Sequence, residues 1–197
     1  MNSPIKSVKN ICGLLALTLG TMVPTAAFAG HSNVVLHTVM DGASEVPAEG
    51  SMSRGIVGDP NGTGHGYVFG IDGDPTTLCY VITVDKIQLV PVGEGMAAHI
   101  HEGAADENGP VVAALAGPED GDAADCLTEG EEGKFPDGEE GIVQRILNNP
   151  EDFYINVHNP EFPGGAIRGQ LGPIESHSHE MDMDEMDMMD MDDEMGM

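Results

Sequence analysis

Leu78-Cys79-Tyr80-Val81-Ile82-Thr83-Val84, "LCYVITV" at residues 78–84, is an unbroken run of aliphatic, aromatic and β-branched side chains with no glycine or proline inside it. Such residues suit a pleated, half-buried surface, so the stretch reads as a strand. Asp72-Gly73-Asp74-Pro75 just before it is a strong turn signal, and Asp59-Pro60-Asn61-Gly62 and Asn108-Gly109-Pro110 repeat that chemistry. Working outward, further short β-favouring runs fall at Val34-Val35-Leu36, Gly66 to Phe69, Ile87 to Val90, Ala97 to His101, Phe153 to His158 and Ala166 to Leu171. Many short strands divided by Gly, Pro and Asp predict an all-β fold, an antiparallel sandwich or barrel. One helix is expected, Glu139 to Asn148, where Ile142, Ile146 and Leu147 share a side and Pro150 enforces a stop. Residues 117–138 are acidic, Gly-rich and nearly free of large apolar side chains, and are expected to form a long surface loop.

The first 29 residues set the compartment. Lys6 and Lys9 precede an apolar run from Ile11 to Val23, and Ala27-Phe28-Ala29 supplies the small-x-small pattern a signal peptidase cuts after. This predicts a periplasmic or secreted product beginning at Gly30. No later apolar run approaches the roughly 20 residues a membrane helix needs. Loss of Lys6 and Lys9 leaves five basic residues against 34 acidic ones, a formal charge of −29, which repels nucleic acid and anionic lipid and attracts cations. Cys12 leaves with the signal, and Cys79 and Cys126 remain as an even pair in an oxidising compartment, which predicts a disulfide. Residues 30–173 are enough for one domain, and 174–197 form a separate tail.

Strand alternation gives the histidines directions. His99 and His101 share one face of their strand while Ala98 and Ile100 share the other, and in Tyr154-Ile155-Asn156-Val157-His158 the same rule turns His158 away from the core. A His-x-His pair on rigid backbone suits a transition metal, because imidazole nitrogen favours copper and zinc. His65, between Gly64 and Gly66, is a further candidate ligand.

Four blocks carry a family resemblance: "DGASEVPAEG" at 41–50, "LCYVITV" at 78–84, "AAHIHEGAADENGPVVAAL" at 97–115 and "FYINVHNPEFPGGAIRGQLG" at 153–172. Together, in order from about Val34 to Gly172, they resemble the CHRD domain, a module widespread in secreted microbial proteins, which implies an all-β fold. More distantly, a His-x-His strand, a long loop, Val-His, a Gly-rich turn and an Arg resemble copper-binding superoxide dismutases with their Greek-key sandwich. That resemblance implies copper ligands at His99, His101 and His158 and an anion-guiding Arg168; the zinc loop's histidine cluster and the bridging histidine have no counterpart, since residues 102–157 contain no His. Arg168 has a second reading, an ion pair with Glu102 or Glu161 that pins the loops.

Residues 177–197, "HSHEMDMDEMDMMDMDDEMGM", hold eight of the thirteen methionines, nine acids and a second His-x-His. Thioether sulfur selects Cu(I), while imidazole takes Cu(II), so His177, His179, Met181, Met183, Met186, Met188, Met189 and Met191 read as a copper-gathering tail. Three functions follow: a copper capture, storage or delivery protein; a copper-dependent, superoxide dismutase-like enzyme; and a structural or adhesive module whose Asp72-Gly73-Asp74 and Asp120-Gly121-Asp122 loops bind calcium.

Overall fold

The computed structural model describes residues 34–52 and 55–174. Among these residues nine strands, β1 (Val35–Asp41), β2 (Thr63–Ile71), β3 (Asp74–Asp85), β4 (Ala97–Glu102), β5 (Val111–Leu115), β6 (Asp122–Thr128), β7 (Phe153–His158), β8 (Ile167–Gln170) and β9 (Gly172–Pro173), form one sheet, accompanied by one α-helix, α1 (Ile142–Asn148), and a 3-10 turn at Pro150–Asp152. The strand order is β5-β4-β7-β8-β1-β2-β3-β6, with β9 beside β1, and every pairing is antiparallel. The sheet curls over one core, in which Val112, Ala113 and Leu115 from one edge meet Leu78, Ile82 and Leu127 from the other. A hydrogen bond from the Ala116 N–H to the Tyr80 hydroxyl at 2.6 Å ties β3 to the end of β5. The all-β architecture is therefore the one the sequence predicts.

Alternation explains the core. In β1, Leu36, Thr38 and Met40 are buried while Val35 and Val39 are exposed, as a sheet with one face inward requires. The inward positions of β2 are Gly64, Gly66, Val68 and Gly70. A Cβ on Gly66 would run into Ile155, so the missing side chain makes room for β7 to pack across the barrel.

Several elements depart from expectation. Ile87 to Val90 forms no strand: Lys86 takes a positive φ of 60°, which breaks the extended run, and Ile87 enters the core with Val90 packed against it. The 117–138 stretch is not all loop, because it contains β6, whose Cys126 lies directly opposite Cys79 of β3. The two are joined by a disulfide with Cα atoms 4.0 Å apart. Val111–Leu115 is also a strand, on the opposite edge. The helix starts at Ile142, three residues later than expected, because Gly141 sits in the left-handed region with φ 77°. Its first N–H groups are satisfied from outside: the Glu129 carboxylate accepts from the Gly141 and Val143 N–H groups, both at 2.8 Å.

β7 differs from the other strands, since every residue from Phe153 to Val157 is buried. Phe153, Ile155 and Val157 face the core. Tyr154 and Asn156 face the other way, under two loops that lock over the sheet. Asn108 donates to the carbonyls of Val46 and Pro47, both at 3.2 Å, and Tyr154 accepts from the Gly109 N–H at 3.1 Å. The polar face carrying the histidines, turned away from the core as expected, is thus roofed by loops.

Candidate metal centre

β4 carries His99 and His101 on that roofed face. β7 ends on His158, which lies opposite Ala97 and so diagonal to His99. Ring centroids are 5.7 Å apart for His99 and His101, 5.2 Å for His99 and His158, and 6.3 Å for His101 and His158. One nitrogen from each ring lies within 4.8 Å of the others, and among the described residues this is the one group of three or more His, Cys, Asp or Glu side chains that converges in this way. All three imidazoles are half-buried.

Outer hydrogen bonds orient two of the three rings. The His101 Nδ1–H donates to the Gly109 carbonyl at 2.9 Å, and the Pro163 carbonyl accepts from His158. The nitrogens left without a partner are His99 Nδ1, His101 Nε2 and His158 Nε2. An outer hydrogen bond of this kind selects the tautomer that offers a lone pair to a metal. Two ligands of one ion with bonds near 2 Å lie at most about 4 Å apart, so ring movements of about an ångström would close the trio on an ion.

The surroundings keep these rings neutral. Burial, then the neighbouring His158 and His101, lowers His99 to about 4. Burial lowers His101, with Arg168 adding to it and the Gly109 bond opposing. Burial and His101 lower His158. Neutral imidazole is the metal-binding form, so the donor set fits copper or zinc.

His65 does not join this group. With Gly64 and Gly66 turned inward on β2, its ring projects from the outer surface, where Nδ1 lies 3.2 Å from His37 Nε2 and the rings stack. Three strands, β7, β8 and β1, separate β2 from β4 in the sheet. Arg168 pairs with neither Glu102 nor Glu161. It is 1% exposed, its guanidinium carbon lies 3.4 Å from the Tyr154 ring centroid, and its Nη2 donates to the Ala104 and Glu107 carbonyls at 2.7 and 2.8 Å. Glu102 is engaged by Arg145 at 2.8 Å. Arg168 therefore anchors the 103–109 loop through its backbone. Of the calcium candidates, Asp74 is occupied within its own turn, accepting from the Thr76 N–H and hydroxyl, and Asp120 and Asp122 are exposed. The tail residues His177, His179, Met181, Met183, Met186, Met188, Met189 and Met191 and the N-terminal 1–29 segment lie outside the described residues.

Sequence reasoning missed Glu45. It is 7% exposed and lines a cavity of about 380 Å³ together with His101, His158, Tyr154, Asn156 and Asn108. Asn156 donates to its Oε2 at 3.3 Å. Burial raises it to about 7 against the opposing pull of Arg168 and Asn156. One glutamate in a chain with 34 acids carries no signal of its own. A larger cavity of about 620 Å³ lies beside the start of α1, lined by Glu129, Phe135 and Gln144, away from the imidazoles.

The family model of the CHRD domain matches residues 36–171, so the chain belongs to the CHRD-domain family, a family of extracellular modules. No curated protein and no solved structure matches it. No helix among the described residues is long and apolar enough to cross a membrane.

Proposed function

We propose that this CHRD-domain protein is an exported copper binder that captures, stores or delivers the ion, holding it on His99, His101 and His158. The observation that carries the reading is the convergence of one nitrogen from each of three imidazoles within 4.8 Å, on rings that each also hold a buried nitrogen without a hydrogen-bond partner. A bound copper ion would supply a redox-active, Lewis-acidic centre. The chain's own contribution is a set of neutral rings on two paired strands, oriented by backbone carbonyls. In this reading the 177–197 segment gathers or hands over further ions through His177, His179 and its Met repeats. Export to the periplasm or beyond follows from the basic, apolar and small-x-small order of the first 29 residues. Arg168 favours binding over dismutation, because its Nη2 is committed to the Ala104 and Glu107 carbonyls beneath the loop.

Metal analysis of the protein recovered from its own compartment, followed by competition titration with a copper chelator, tests this reading. Copper is the expected metal. His99→Ala and His101→Ala should each abolish the tightest site while the far-ultraviolet spectrum of the fold stays unchanged. Equal copper affinity in both variants and the parent, or calcium as the sole metal, would contradict it.

A further inference from the structure

His101 and His158 contribute to the trio and also line the 380 Å³ cavity, so the cavity adjoins the trio. The wall also carries the Ser51 and Tyr154 hydroxyls, and two of its buried polar atoms are unmatched acceptors. Glu45 Oε1 and Asn156 Oδ1 are both buried without a partner, although the remaining oxygen of Glu45 and the amide of Asn156 bond each other. A buried acceptor left unmatched is costly, so such atoms mark where a donor belongs. The fold is shaped to hold this carboxylate in place. A Cβ on Gly165, whose φ is +137°, would overlap both carboxylate oxygens, and one on Gly58 would come within 2.6 Å of the Glu45 Cγ. The nearby cation, Arg168, has both Nη2 hydrogens directed to loop carbonyls.

We propose that this cavity receives the non-protein ligand of the metal and selects a small neutral molecule bearing an O–H or N–H donor over an anion, with Glu45 Oε1 and Asn156 Oδ1 accepting its hydrogen bonds. The proposal rests on the trio holding copper. Ionised above the value of about 7 to which burial raises it, the Glu45 carboxylate offsets the neighbouring Arg168 charge and, in a chain that is already strongly acidic, disfavours an incoming anion, whereas a neutral donor satisfies two orphaned acceptors. Binding is chosen by hydrogen-bond polarity, which is the reverse of an anion-guiding site.

The test uses the full chain loaded with one Cu(II), with His177→Ala and His179→Ala to keep the tail imidazoles out of the spectrum. It is run at pH 8.5, above the value of about 7 to which burial raises Glu45. Azide and imidazole serve as anionic and neutral probes, and affinities are read from the copper absorption bands. Glu45→Gln should raise azide affinity about tenfold or more and lower imidazole affinity. Ala48→Trp, at an exposed position on the cavity wall, should weaken both probes with copper content unchanged, and it provides the test should Glu45→Gln misfold. Copper held normally, with both probe affinities within about twofold of the parent in either variant, overturns this inference alone. Failure of the parent to hold copper on the trio overturns it together with the proposed function.

Discussion

A histidine normally titrates near 6.5, and the value for His99 is about 4 because its ring is buried beside two other imidazoles. The direction determines how copper binding responds to acid. Protons compete for an ordinary imidazole as pH falls through 6.5, but they reach His99 only near 4, and His101 and His158 are shifted the same way. Cu(II) affinity of the trio should therefore fall by less than about a hundredfold between pH 7.5 and 5.5, since His99 keeps its lone pair throughout and the other two lose less than an ordinary imidazole. Three unshifted imidazoles, each about nine-tenths protonated at pH 5.5, would lose about a thousandfold. Chelator competition at the two pH values distinguishes the cases, and a loss near a thousandfold would show that the rings are not shielded. The period-2 rule was enough to place His99, His101 and His158 on one face. It could not show that this face is covered, since the roof depends on Asn108 reaching Val46 and Pro47 some 60 residues away, a contact without local sequence signature. Glu45 and the partners of Arg168 were hidden for the same reason.

Elements were legible where burial demanded apolar side chains. β3, β4 and β7 stand where the hydrophobic runs put them. β6 escaped because Asp122-Ala123-Ala124-Asp125-Cys126-Leu127-Thr128 buries one side chain, Leu127. An edge strand of that kind is specified by its partner β3 and by the disulfide, not by its own propensity. The opposite error at Ile87–Val90 followed from reading apolar character without the turn at Lys86. The helix boundary has a similar tertiary cause, the Glu129 carboxylate reaching the first turn of α1 from the segment after β6. Glu129→Ala should lower stability by about 1–2 kcal/mol, measured by urea unfolding, because it leaves two N–H groups of a helix terminus without their acceptor. A change below about 0.3 kcal/mol would mean that water replaces the carboxylate without cost.

At the scale of the whole molecule, a CHRD-family sheet has its edge strand β6 stapled to β3 by a disulfide and precedes a Met- and acid-rich segment. The Cys79–Cys126 link spans 47 residues, and loop-closure entropy assigns such a link about 4 kcal/mol. Cys79→Ala/Cys126→Ala should unfold at correspondingly lower urea, and a midpoint equal to that of the parent would contradict the assignment. Domain and tail are expected to hold copper separately. Deleting residues 177–197 should lower the number of Cu(I) ions bound per chain under reducing conditions while sparing the histidine site, and equal stoichiometry would remove the tail from the copper reading. The most direct test of the central claim is the electron paramagnetic resonance spectrum of that tail-deleted protein loaded with one Cu(II). Coupling to the three imidazole nitrogens of His99, His101 and His158 is expected, falling to two in His158→Ala. An unchanged spectrum in the variant lacking all three histidines would contradict the account.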